Sequence, residues 1–398
     1  MSRSYNIQNT NALFSRLPKS KSGETCEPEK LLAMEKFINS ILNPRLGDFT
    51  PFVSVVVLDK EQLETIRTTV TSFRPEKRLS KNIYSPYALV MNDQCFLAEN
   101  DGKYPIISVE IKPKQGFMSQ NNSGQTCNFC IKQNYLSKTG KDGGLKSKYC
   151  PLDLFSGNST RMERAIESLL EIPKNNMRIF MDGTLLHDEN STEICDPMIK
   201  EIFQSRTAFK RTLIEMLTSE SNSGELSING HNQEFSSKKE TKVLSRRDKL
   251  SCHNDTETLP KNCVLDRILR LQTCSTSDVE AEKLVKNITF HGINKEEIQK
   301  IISGDDQIPN DFSEEATKNI LTLQQYCMSV TAKDLSIILA ISQKDVKDES
   351  EDSNQIIVDD KIFRYKLSII DLDQKSLNKI PHYIENKRLW SSYLSLKI

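Results

Sequence analysis

The sequence predicts an α+β protein in which short strands form mixed sheets and amphipathic helices pack around them. Three observations support this. Strand-length β-branched or alternating runs occur at 52–58 and 106–112, and helical apolar periodicity recurs over 28–42, 161–170 and most of 264–327. Two apolar strands, 335–341 and 363–370, close the chain as a hairpin. At 398 residues, with 37% hydrophobic residues, the chain can bury one large core or the cores of two lobes.

Lys plus Arg and Asp plus Glu both number 54, so no global field steers the chain to nucleic acid or membrane. Any recognition of a highly charged ligand must be local. The N-terminus lacks a signal-peptide core, and the longest apolar runs, VSVVVL and LSIILAI, are strand-length. Ten scattered cysteines read as reduced thiols in a cytoplasmic or nuclear protein, and a monomer is expected. Formal sequons such as those at Asn121, Asn158 and Asn190 then carry no meaning.

Taken in order, residues 1–27 are polar, aperiodic and expected to be a disordered leader. Leu31, Leu32, Met34, Phe37, Ile38, Ile41 and Leu42 have helical spacing, with Pro28 at the first turn. A strand at 52–58 and a helix around 61–69 follow. Runs at 88–91 and 95–97 flank a turn at Asn92 and Asp93, and 106–112 alternates until Pro113; these read as the small sheet of a partial N-terminal lobe, 28–117.

The remainder, 118–398, reads as a larger C-terminal lobe. It opens with a polar Lys-, Gly- and Ser-rich stretch, 118–149, followed by a helix at 161–170, a strand at 177–180 and one or two helices over 197–217. Residues 218–261 are low in apolar content and read as a disordered insert. Helices are expected at 264–271, 279–286, 296–302 and 314–327, and an acidic loop, 343–358, forms the tip of the closing hairpin.

That hairpin carries the most chemistry. Asp334 precedes its first strand and Asp371, followed by Asp373, ends its second, so antiparallel pairing brings the acids together. Phosphoryl transfer needs one carboxylate for the attacking hydroxyl and another for the divalent metal on the nucleotide phosphates. Protein kinases use a similar carboxylate, strand, hairpin, carboxylate order. Here there is no HRD, no DFG, and Leu339 stands five residues after Asp334. By position alone, such acids are more often solvated turn residues.

On 108–114, alternation turns Val109 and Ile111 to a core and Glu110 and Lys112 to the other face, with Lys114 beyond. This suits a cleft, and equally an edge strand guarded by charge and proline. Basic residues gather at Arg74, Lys77 and Arg78, and again at Lys375 and Lys379, whose spacing would place them on one helical face. Cys127 and Cys130, with Cys150, form half of a zinc pattern; without a fourth ligand, buried free thiols are the commoner outcome. The absence of GxGxxG and GxxxxGK[ST] excludes a P-loop.

The segments SVEIKPKQGF (108–117), YCPLDLFSG (149–157), NNMRIF (175–180), VTAKDLSI (330–337) and IIDLDQK (369–375) closely resemble, in order, those of inositol-pentakisphosphate 2-kinases, from about residue 28 onward. The resemblance implies a two-lobed inositol-phosphate-kinase fold, distantly protein-kinase-like. It also implies transfer of the ATP γ-phosphate to the 2-hydroxyl of inositol 1,3,4,5,6-pentakisphosphate. It makes Asp334 the base and Asp371 the Mg2+ ligand, with Asp373 beside it. Asn92, Gln94 and Glu110 would contact the nucleotide, and Lys112 and Arg178 its phosphates. Arg78, Lys114, Lys138, Asn175, Asn176, Lys375, Lys379 and Tyr383 would hold the inositide, a cation ring suited to its phosphates. Lys138 is one of two positions, with Leu136, onto which a further family lysine maps.

Such kinases open with a Gly-rich segment and strands over the ATP phosphates, whereas residues 1–27 contain no glycine before Gly23 and no strand-like run. An incomplete N-terminal lobe is therefore expected, binding ATP poorly. Two alternatives to an active kinase follow: a non-catalytic inositide-binding isoform, or a sequence truncated at its first exon.

Overall fold

The computed structural model describes residues 12–16, 28–72, 86–97, 102–118, 126–141, 146–191, 195–220, 258–290, 292–345 and 354–395. Its first half comprises β1 (Ala12–Arg16), α1 (Pro28–Lys36), α2 (Asn43–Leu46), β2 (Ser54–Val57), α3 (Lys60–Ser72), β3 (Tyr87–Asn92), β4 (Ile107–Ile111), α4 (Asn128–Lys138), α5 (Pro151–Leu154), α6 (Ser159–Glu171), β5 (Met177–Met181) and β6 (Thr184–His187). There follow α7 (Asp196–Phe203), α8 (Arg206–Thr218), α9 (Val264–Thr273), α10 (Asp278–Phe290), α11 (Lys295–Ser303), α12 (Glu314–Ala332), β7 (Ser336–Lys344), β8 (Gln355–Val358), β9 (Lys361–Ile370) and α13 (Ile380–Ser395). The mixed α and antiparallel β content agrees with the α+β expectation.

The helices form where apolar side chains recur on one face. Along α6, Met162, Ala165, Ile166, Leu169 and Leu170 are buried, and Asn158 caps the first turn by accepting from the Arg161 amide at 3.0 Å. A π-helical turn, Phe37–Leu42, joins α1 to α2 and buries Phe37, Ile38 and Leu42.

Two sheets organise the chain, a three-stranded one in the order β1-β3-β2 and a six-stranded one in the order β6-β5-β4-β7-β9-β8. The strand β1 corrects the expectation of a leader without strands: Ala12 pairs with Asn92 and Leu13 with Met91 along β3. Five residues give too little alternation to register locally, and the partner strand decides. The alternating run 106–112 is expected in the small sheet, but β4 lies inside the large one, between β5 and β7. It is therefore not an edge strand. Residues 95–97 continue as a bend rather than a strand. The closing strands pair as expected, Ser336 opposite Ile370, but the acidic tip contains an extra strand, since β7 runs on to Lys344 and β8 pairs with β9. The polar stretch 118–149 contains α4, and the proposed insert lies almost wholly outside the described residues, as do 346–353.

The large sheet has two chemically distinct faces. Ile107, Val109, Ile111, Ile179, Ile337, Leu339, Phe363 and Ile369 are all buried on the core face. Strand register puts Ser108, Glu110, Arg178, Ser336 and Ser368 together on the other. Residues following β3 lie against this polar face. Ser368 Oγ donates to Gln94 Oε1 at 2.7 Å, and Ser108 Oγ donates to the Cys95 carbonyl.

Candidate functional site

The site forms where the ends of β4, β7 and β9 meet. Glu110 lies on the polar face and is held on three sides: Arg178 Nη1 at 3.2 Å from Oε2, Ser336 Oγ at 2.8 Å and Lys112 Nζ at 3.6 Å from Oε1. Lys112 Nζ also pairs with Asp371, and Ser336 Oγ lies 3.0 Å from Asp371 Oδ2. The Ser336 hydroxyl has one proton for two carboxylates, so it can serve either as the charge nearby changes. Asp371 has φ of 62°, a left-handed conformation uncommon for a non-glycine residue and frequent at functional sites.

Asp334 forms a second centre. Lys114 Nζ lies 3.0 Å from Oδ1 and Lys375 Nζ 3.2 Å from Oδ2. Desolvation pushes the Asp334 carboxyl upward, but Lys114 and Lys375 together outweigh it and hold the group below the ordinary aspartate value. Burial pulls the Lys114 ammonium below its ordinary value against the attraction of Asp334, with Lys112 and Lys132 adding to the decrease. Lys114 also has a left-handed backbone, φ 60°. Tyr383, on α13, has its hydroxyl pushed upward by burial and then by the charge of Asp334.

Not every expected residue joins these two groups. Asn176 is buried and its side-chain amide donates to the Lys112 carbonyl at 3.0 Å, whereas Asn175 is exposed. The Gln94 amide is engaged with Ser368 and the Asn92 carbonyl, and Asn92 ends β3 in an exposed position. The Asp373 carbonyl accepts from Thr331 Oγ1 at 3.2 Å, tying the two acid-bearing segments together. Lys379 and Lys138 are exposed, and Arg78 lies outside the described residues. Lys375 is not helical. Ser376 caps a 3₁₀ turn, Leu377–Lys379, by accepting from the Asn378 amide, so that turn begins after Lys375 and no shared helical face exists.

Two important residues were not singled out from the sequence. One is Ser336, which lies within VTAKDLSI without a role assigned to it; the other is Gln272 on α9, 1% exposed, whose amide contacts the Lys114 carbonyl and that of Ala332, the last residue of α12. Tyr149, fully buried, supports the Lys114 loop by donating its hydroxyl to the Pro113 carbonyl at 2.8 Å.

An apolar cleft lined by Met34, Ile38, Val53, Met91 and Ile369 opens onto Asp371 and Asp373, between the small sheet and the end of β9. The donors around it, two aspartates with Glu110 and the Ser336 hydroxyl nearby, are all hard oxygens and fit a magnesium ion. A separate cluster joins Cys127, Cys130 and Cys150, whose sulfurs lie within 4.8 Å of one another. No fourth His, Cys, Asp or Glu joins them among the described residues. Thiol–thiol hydrogen bonding and burial push Cys127 and Cys150 to about 12, so as apposed here they are neutral thiols. Three soft donors are one short of a closed tetrahedral zinc site.

Among the described residues no helix is long and apolar enough to cross a membrane. The sequence matches the family described as inositol-pentakisphosphate 2-kinase over residues 4–388, a span that begins ahead of residue 28 and includes β1. A protein of Danio rerio named inositol-pentakisphosphate 2-kinase is 29% identical, covering 92% of this chain and 83% of the relative. One of the same name from Arabidopsis thaliana is 25% identical, covering 92% and 78%. With the match spanning nearly the whole chain and both acid centres inside it, this chain belongs to the inositol-pentakisphosphate 2-kinase family.

Proposed function

We propose that this chain transfers the γ-phosphoryl group of ATP to the 2-hydroxyl of inositol 1,3,4,5,6-pentakisphosphate, giving inositol hexakisphosphate. The observation that carries this reading is Asp334 held between Lys114 and Lys375, a carboxylate framed by the cations a polyphosphate would seek. In this reading the fold is two-lobed and kinase-like, with the small sheet over the nucleotide and the large sheet beneath it. Asn92, Gln94 and Glu110 lie on the nucleoside side, and Lys112 and Arg178 meet the phosphates.

Asp371, with Asp373 beside it, would hold Mg2+. Held by these residues, Mg2+ would supply positive charge to offset that of the nucleotide phosphates. Lys112 then exchanges its pairing with Asp371 for a phosphate oxygen. Arg78, Lys114, Lys138, Asn175, Asn176, Lys375, Lys379 and Tyr383 bind and orient the inositide.

The inositide's arrival also tunes the base. Its phosphates draw Lys114 and Lys375 off Asp334, leaving desolvation to raise the carboxylate's basicity as the hydroxyl docks. The hydroxyl oxygen bonds to the γ-phosphorus, the bond to the ADP oxygen breaks, and Asp334 takes the proton.

Mass spectrometry and anion-exchange chromatography of a reaction with ATP, Mg2+ and the pentakisphosphate test this. The proposal expects a product with one more phosphate, on the 2-position. Recovery of unchanged pentakisphosphate at every enzyme concentration contradicts it.

A further inference from the structure

Lys114 and Asp334 sit on loops 220 residues apart in sequence, and their separation of 3.0 Å needs something to fix it. Both are partly open to solvent, with side chains 21% and 56% exposed, so the ion pair alone holds them weakly. Beneath them lies Gln272, at the last turn of α9 and 1% exposed. Its Nε2 donates to the Lys114 carbonyl at 2.7 Å and to the Ala332 carbonyl at 2.9 Å. Its Oε1 accepts the Gly116 amide at 2.8 Å. The Gln272 carbonyl in turn accepts from Ser329 Oγ at 2.6 Å.

We infer that Gln272 is the positioning residue of the phosphoryl-transfer site, a buried amide that sets the distance between Lys114 and Asp334 by clasping the Lys114 loop to the end of α12, two residues before Asp334. The inference rests on the functional reading above for its kinetic consequence, but not for its geometry. The partners fix the orientation of the amide, since two carbonyls face the nitrogen and one N–H faces the oxygen. Few side chains can replace it. Ionised glutamate has no proton to give the two carbonyls, methionine neither donates nor accepts strongly, and asparagine is one methylene short. Gly116 is constrained in parallel, since a Cβ there would lie 2.4 Å from the Phe155 ring, so that loop cannot shift inward to compensate. The left-handed Lys114 backbone, φ 60°, is held at its carbonyl by this amide.

The test compares wild type, Gln272→Met and Gln272→Glu, checking each for a cooperative thermal transition. With Gln272→Met, kcat should fall by about tenfold to a hundredfold, the scale of a displaced catalytic group, while KM for ATP stays within about twofold. The acid limb of the kcat/KM profile, which reports the free enzyme, should move to higher pH, because Asp334 there loses its fixed partner Lys114. Gln272→Met and Lys114→Met should combine less than additively in a double-mutant cycle. A folded variant with unchanged kcat and acid limb, or strict additivity, overturns the clasp. If Gln272→Met does not fold, Gln272→Glu, which retains the Gly116 acceptor, is read by the same criteria.

Carboxyl NMR of Asp334 separates this inference from the functional one. Its titration should shift upward in the Gln272 variant whether or not wild type turns over, and an unmoved titration overturns the clasp alone.

Discussion

Lys114 Nζ and Lys375 Nζ grip opposite oxygens of Asp334, at 3.0 and 3.2 Å, although one lysine precedes the aspartate by 220 residues and the other follows it by 41. Together they hold its carboxyl below the ordinary aspartate value. Remove either cation and desolvation, which acts in the opposite direction, has less to overcome.

The Lys114→Met and Lys375→Met substitutions should therefore each raise the Asp334 carboxyl. The sign follows directly: the folded value is depressed, so the group stabilises the fold above its unfolded value and loses that contribution as pH falls through the folded one. With one lysine removed, the acid limb of kcat/KM should move to higher pH, and acid unfolding should begin at higher pH. Measured pH–rate profiles and acid titrations by circular dichroism check both shifts.

Asp371 faces the cleft between the sheets, and Asp334 the cation pair. Asp371→Asn should weaken Mg2+-dependent ATP binding by about tenfold or more, as expected for loss of a charged ligand, and leave inositide binding within about twofold. Calorimetric titration with each ligand separately checks this division of labour.

Tyr149→Phe removes the hydroxyl that satisfies the Pro113 carbonyl without opening a cavity of any size. A buried unsatisfied carbonyl costs about 1–3 kcal/mol, so the midpoint of urea denaturation should fall by a matching amount with an unchanged slope.

Cys127 and Cys150 are buried thiols pushed to about 12, and the thiolate is the nucleophile. Iodoacetamide at pH 8 should leave both unmodified in the native chain and alkylate both after denaturation, as read by peptide mass spectrometry.

Much of this architecture was legible in the residues. The helix expected over 161–170 extends from Ser159 to Glu171, because its apolar stripe and cap are local facts. The closing strands paired as their apolar runs implied, bringing Asp334 and Asp371 to one end of the sheet. What escaped was set by partners distant in sequence. Helix α4 reads as polar, but Cys130, Ile131, Gln133 and Tyr135 are buried where it meets α13 and the Cys150 segment. Strands β1, β6 and β8, of four or five residues, take their geometry from the strands beside them. Ser336 and Gln272 look like polar interruptions in apolar runs, and only their contacts reveal what they hold. Lys375 has the spacing of a helix partner for Lys379, but Ser376 starts the 3₁₀ turn one residue too late.

The most direct test of the central claim is the rate of phosphate transfer from ATP to inositol pentakisphosphate by wild type and by Asp334→Asn, with inositide affinity measured in parallel. Loss of the base should lower kcat by about 10²–10⁴-fold while the inositide still binds, since Lys114 and Lys375 remain and no longer face a carboxylate. Turnover by Asp334→Asn within about threefold of wild type, well short of the effect of removing a general base, would contradict the account.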